Sequence, residues 1–248
     1  NVANTNIGAN NLEFRSISSN GATSGIILSA TGSGGGLKVK GDGGGTQNAS
    51  GGSIQNSTGI AINLTSTRDV TLTQLNLSNG GNHGINLSSV TNFTYQDAVM
   101  TGVADGNDEQ GINSLNVFGT SLVEDVTMDD VKEDGIQIRQ NATDDATIDT
   151  LTIRRLNIQD HEAGFGESGI EAQTDLASNL RVIVDDCDFT LNTNAVIAAQ
   201  GSTAASHTGV FAMTIQNSTF NAAGSFGSGG PQFLGGGTGT VFYTVDNN

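Results

Sequence analysis

The sequence predicts an all-β chain wound as a right-handed parallel β-helix, a solenoid with three short strands in each turn. Two repeats predict it: an apolar spacing of i, i+2, i+5, i+7, and a Gly-Ile dipeptide that returns in phase with it. Composition agrees, with 35 Gly, one Pro, no Trp and only 35% hydrophobic residues in 248, and no convincing run of helical periodicity.

The spacing is clearest at Val70, Leu72, Leu75 and Leu77. It recurs as Phe93, Tyr95, Ala98, Met100; as Leu151, Ile153, Leu156, Ile158; as Val182, Val184, Cys187, Phe189; and as Met213, Ile215, Ser218, Phe220. Weaker copies fall at Leu12, Phe14, Ile17 and at Val123, Val126, Met128. Leu37 and Val39 open another, separated from Ile54 by a Gly-rich stretch, and a last copy runs from Val241 to Val245.

Alternation turns residues i and i+2 inward, and the odd step to i+5 predicts a two-residue corner that resets the face. The strand after Gly-Ile supplies the third wall. Gly-Ile occurs at Gly25, Gly59, Gly84, Gly111, Gly135 and Gly169, with a degenerate Ala195-Val196, at spacings of 34, 25, 27, 24, 34 and 26 residues. A fixed minimum with elastic excess suits a coil whose loops lengthen, and excludes propeller blades of about 40–45 residues. No turn buries its own apolar residues, so the turns must stack. About nine turns at a strand spacing of about 4.8 Å make a rod roughly 40 Å long. The whole chain, 1–248, reads as one domain, with flexible Gly-rich loops near 31–52 and 224–240.

The segment GGSIQNSTGIAINLTSTRDVTLTQLNL resembles units of bacterial secreted or cell-surface proteins, the adhesin-like right-handed parallel β-helix repeat proteins. The resemblance rests on fold motifs, namely Gly-Gly-x-Ile-Gln-Asn, Gly-Ile and the strand pairs. It implies an extracellular, secreted or cell-surface setting and carries over no catalytic residue. Pectate-lyase-like enzymes share the fold, so fold alone leaves function open.

Stacking turns polar positions into columns. The corner gives Thr73-Gln74, Gln96-Asp97, Glu124-Asp125, Arg154-Arg155, Asp185-Asp186 and Gln216-Asn217. Two arginines thus lie between acidic pairs. The column reads first as a salt-bridge ladder that holds register. If the chain is a polysaccharide lyase or hydrolase, Glu124, Asp125, Asp185 and Asp186, with Arg154 and Arg155, are its catalytic candidates. The absence of Trp and the two Tyr speak against a sugar groove.

Net charge is −16, and residues 105–188 hold 20 of the 25 acids. Such a chain is not expected to bind nucleic acid or insert in a membrane; phosphate backbones need clustered Lys and Arg, and no apolar run spans a bilayer. Glu109, Glu133 and Glu167 each stand two residues before their Gly, predicting a column of like charges. Either Ca²⁺ bridges this edge, with Asp105, Asp108, Asp130 and Asp134 as co-ligands, or the edge is solvated. No other cofactor is expected.

Other motifs weaken on inspection. Gly164, Gly166 and Gly169 match GxGxxG but sit between strands, without the helix a dinucleotide site needs. His161-Glu162 lacks a second histidine four residues on, and no GxSxG elbow accompanies His83 or His207. Cys187, at an inward position, reads as a buried thiol. Asn56, Asn63, Asn92, Asn141 and Asn217 open Asn-x-Ser/Thr triplets, expected by chance in so Asn-rich a chain. Neither terminal stretch resembles a cap, so end-to-end stacking with itself or with neighbouring solenoid segments is expected. The function expected is a non-enzymatic structural or adhesive rod; the alternatives are the polysaccharide enzyme and a module that binds glycans or cell-surface components without turnover.

Overall fold

The computed structural model describes residues 1–142, 147–161, 168–191, 197–222 and 230–248. Among these there is no helix, and the strands join one parallel sheet that passes round an axis, a solenoid-like arrangement. The pairings fall into three ladders. The first runs from Val2–Ala3 and Ile26–Ser29 through the starts of Ile62–Thr73 and Ile85–Thr101, then Ile112–Phe118, Ile136–Gln140, Ser168–Thr174, Ile197–Thr203 and Pro231–Leu234. The second joins Leu12–Phe14, Leu37–Val39, residues 70–73, 93–96 and 120–124, then Asp149–Arg154, Asn179–Asp185, Val210–Gln216 and Thr240–Asp246. The third joins Ser19–Asn20, Gly52–Gln55, Leu75–Ser78, residues 98–101 and 126–129, Asn157–His161, Asp188–Leu191 and Thr219–Ala222.

In the central turns the inward positions are those the spacing selects, while Phe14 and Val245 in the end turns are exposed. Val70, Leu72, Leu75, Leu77, Phe93, Tyr95, Ala98 and Met100 are all fully buried, and the buried apolar residues form one cluster from Ile26 to Ile215. Each large side chain so buried contributes about 1.5–3 kcal/mol. Toward the last turns, bulk is traded between walls. Inward Ala172 and Gly201 leave room for Phe211 and Tyr243, whose rings meet edge to face at 5.8 Å. A Cβ on Gly201 would stand 2.9 Å from the Tyr243 ring.

The Gly-Ile repeat has a steric cause. A Cβ at Gly84, Gly111 or Gly135 would lie 2.7, 2.6 and 2.6 Å from the carbonyl oxygen of the next glycine in the column, Gly111, Gly135 and Gly169 respectively. At these three turns the neighbouring backbone leaves no room for a Cβ. One expected member is out of register: Ile62, not Ile60, pairs with both Ile26 and Ile85, so Ala61 occupies the column position assigned to Gly59. Ala195-Val196 lies outside the described residues, and the partner of Ile170 is Ala199.

The expected two-residue corner is a single residue. Glu124 still pairs with Gln96 and with Arg154, and Val126 already pairs with Ala98. Between them Asp125 alone turns the chain, at φ 52°, and Gln74, Asp97, Arg155, Asp186 and Asn217 do so on other turns at φ 55°, 54°, 49°, 54° and 53°. One left-handed residue breaks the alternation, which is all that resetting the face requires. A fourth short wall, also unexpected, pairs Thr67 and Arg68 with Val90 and Thr91, and these with Val117 and Phe118.

Candidate functional site

The corner column brings together four of its six predicted residues. Arg154 Nε donates to Glu124 Oε1 at 2.8 Å, and the Nη2 groups of Arg154 and Arg155 reach the same oxygen. Arg155 also grips Asp125 bidentately, Nε to Oδ1 at 2.7 Å and Nη2 to Oδ2 at 2.8 Å. That bond holds the Asp125 carboxyl below its ordinary range and the Arg155 guanidinium above its own. Asp185 faces the other way, accepting from Gln216 Nε2 at 3.1 Å and Asn217 Nδ2 at 2.9 Å, and the Asn217 bond foremost keeps its carboxyl low. Asp186 supplies the corner φ. Both arginines are turned to one neighbouring turn.

Elsewhere among the described residues the surface is recessed. A recess of about 490 Å³ sits in the first turn against Val2 and residues 5–12. Another, about 120 Å³, is lined by Leu115, Arg139, Gln140, Asn141, Gln173 and Asp175. Leu115, Arg139 and Gln173 are consecutive outward members of the first ladder.

Among the described residues, Glu109 and Glu133 turn to different donors. Glu109 folds onto its own loop, Oε2 accepting from Gly106 N at 2.6 Å and Oε1 from Asn82 Nδ2 at 3.1 Å. Glu133 faces Gln110 Nε2 at 3.5 Å. Asp105 offers its main-chain oxygen to Lys132 Nζ at 2.7 Å. Asp108 and Asp130 both take left-handed φ, at 60° and 55°. Asp134 points inward, accepting from Ser168 N at 2.8 Å and Gln137 Nε2 at 2.9 Å, while that same Nε2 reaches Glu171 at 2.9 Å. Burial, above all, raises the Asp134 carboxyl to about 7. Glu167, Glu162, Gly164 and Gly166 lie outside the described residues. Among the described residues no group of three His, Cys, Asp or Glu is placed to hold a metal ion.

The asparagines of the five Asn-x-Ser/Thr triplets named above are engaged between turns. Asn56 donates to Asn20 at 2.7 Å, Asn92 to Asp69 at 2.8 Å and Asn217 to Asp185 at 2.9 Å. Asn63 accepts from Asn86, which accepts from Asn113, at 2.9 and 3.0 Å, and Asn141 accepts from Asn116 at 3.0 Å. Cys187 is buried, and burial pushes its thiol up to about 12.

Sequence reasoning missed Gln74, the anchor of the Gly-rich loop. Its Oε1 accepts from Asp42 N at 2.9 Å, Gly43 N at 3.3 Å and Ser50 Oγ at 2.8 Å, and its Nε2 donates to Thr46 O at 2.8 Å. Residues 42–50 are therefore held against the corner column, where composition predicts a flexible loop. The signal available was a glutamine at a corner position shared with Asp and Asn.

Fold and site together define an all-β, solenoid-like chain whose polar columns bond turn to turn. No family model, curated protein or solved structure matches the chain. Among the described residues no helix is long and apolar enough to cross a membrane.

Proposed function

We propose that this chain is a structural rod: a single-domain, right-handed parallel β-helix of about nine turns, built into an extracellular adhesin-like surface protein or stacked head to tail as a filament. The observation that carries the proposal is the corner column. Its guanidinium and carboxylate groups bond to each other along the rod, so Glu124 and Asp125 are committed to arginine rather than held ready for acid–base work. A core continuous from Ile26 to Ile215 supports load-bearing along the axis.

A second reading, glycan binding without turnover, is favoured by the recess at Leu115, Arg139 and Gln173, where an apolar patch meets side-chain donors. Negative-stain electron microscopy of the purified chain tests the first reading. Fibres of uniform width are expected, and their loss in chelator would place calcium at a contact between rods. Short single rods under every condition, with cleavage of a polysaccharide that Glu124→Gln abolishes, would replace the rod with the enzyme.

A further inference from the structure

His207 lies in the turn between Ile197–Thr203 and Val210–Gln216, and it is fully buried. Neither ring nitrogen has a hydrogen-bond partner among the described residues. Its cover is the segment Gly236–Gly239. The His207 carbonyl accepts from Thr238 N at 2.8 Å and Gly239 N at 3.0 Å. A Cβ on Gly239 would stand 2.7 Å from Nε2, so the glycine backbone lies directly on the imidazole. The next residues form Thr240–Asp246, which pairs along Val210–Gln216.

A neutral imidazole keeps one N–H without an acceptor in this site, and an imidazolium would keep two. Asp175 is the charged group facing the ring. It stands on the 175–178 turn, with its Oδ1 already taken by Leu176 N at 2.6 Å and by the Ser206 hydroxyl. The covering segment Gly-Gly-Thr-Gly carries no charge. Burial outweighs the pull of Asp175 and holds the ring below its ordinary range. The neutral state thus favours the closed turn, and closure is lost as pH falls below the ordinary histidine value of about 6.5. Glycine regains the most backbone freedom on release, so the cover is the wall that yields.

We propose that His207 is an acid-operated latch: proton uptake by its buried ring lifts Gly236–Gly239 and frees the strand Thr240–Asp246 from Val210–Gln216, exposing a strand edge. Hydrogen–deuterium exchange on the unmodified chain at about pH 7.5 and about pH 5, corrected for intrinsic rates, tests it. Protection over residues 240–246 is expected to fall about tenfold or more at the lower pH, while residues 70–73 keep theirs. His207→Phe is expected to keep the last strand protected at both. Equal protection at the two pH values in the unmodified chain would overturn the latch. So would a His207→Phe protein that still responds to acid. Should that variant not fold, NMR titration of the His207 ring in the unmodified chain decides: protonation without loss of protection excludes the latch.

Discussion

The side-chain amide of Gln47 donates to the main-chain oxygen of Asp125 at 2.8 Å, across 78 residues of sequence. Thr127 Oγ1 returns a bond to Gln47 Oε1 at 3.1 Å. The Gly-rich loop that leaves the second ladder after Val39 therefore runs along the corners of later turns. Gln74 holds both ends of the loop, at Asp42 and Ser50, and Gln47 midway along it rests on the arginine-bound Asp125.

Gln74→Ala removes the anchor. The variant is expected to lose about 1–3 kcal/mol, the cost of leaving several loop groups without their partner. Urea unfolding measures the loss, and limited proteolysis is expected to open first within residues 42–50.

The glycine column predicts a contrast between two alanine variants. Gly111→Ala sets a Cβ 2.6 Å from the Gly135 carbonyl, between turns that cannot separate without breaking ladder bonds. Its expected cost is about 3 kcal/mol or more, whereas Gly43→Ala, at φ +75° in open space, costs about 1–2 kcal/mol of backbone strain. Thermal melts of the two proteins side by side check the order.

Asp134 makes stability depend on pH in the opposite sense to His207. Its carboxyl is raised from 3.8 to about 7 in the folded chain, so the folded state holds the proton more tightly than the unfolded one. The stabilisation is complete below the unfolded value and is lost as pH rises toward 7. Each tenfold gain in proton affinity is worth about 1.4 kcal/mol, so on the order of a few kcal/mol is at stake. Asp134→Asn is expected to flatten the pH profile of urea unfolding between about pH 4 and 7; an unchanged slope would place the dependence elsewhere.

Cys187 lies among inward residues of the third ladder, its thiol raised to about 12 by burial. A thiol reagent at about pH 8 is expected to leave the folded protein unmodified and to label it fully in denaturant.

Much of this was legible in the chain itself. The inward sets at residues 70–77, 93–100, 151–158, 182–189 and 213–220 stack in the register that their spacing implies. The acidic pairs and Arg154-Arg155 do share one column. Gly59 failed as a register mark because dipeptide identity does not say which residue faces the next turn; Ala61 is small enough to take the place. The one-residue corner was half visible, since Asp and Asn tolerate left-handed φ and recur there. Where Glu109 and Glu133 turn for a donor was not legible, because a common offset before glycine sets position along the rod and not the side chain's partner.

By itself, then, the sequence determined the period, the parallel pairing and the buried faces. Those follow from local alternation and from the impossibility of burying one turn alone. Only the tertiary structure decided which polar groups meet. Gln47 with Asp125, Gln74 with Asp42 and Ser50, and His207 under Gly239 are contacts between turns tens of residues apart. Their partners depend on how each loop folds back after the ladders have set the register, and no spacing along the chain encodes that distance.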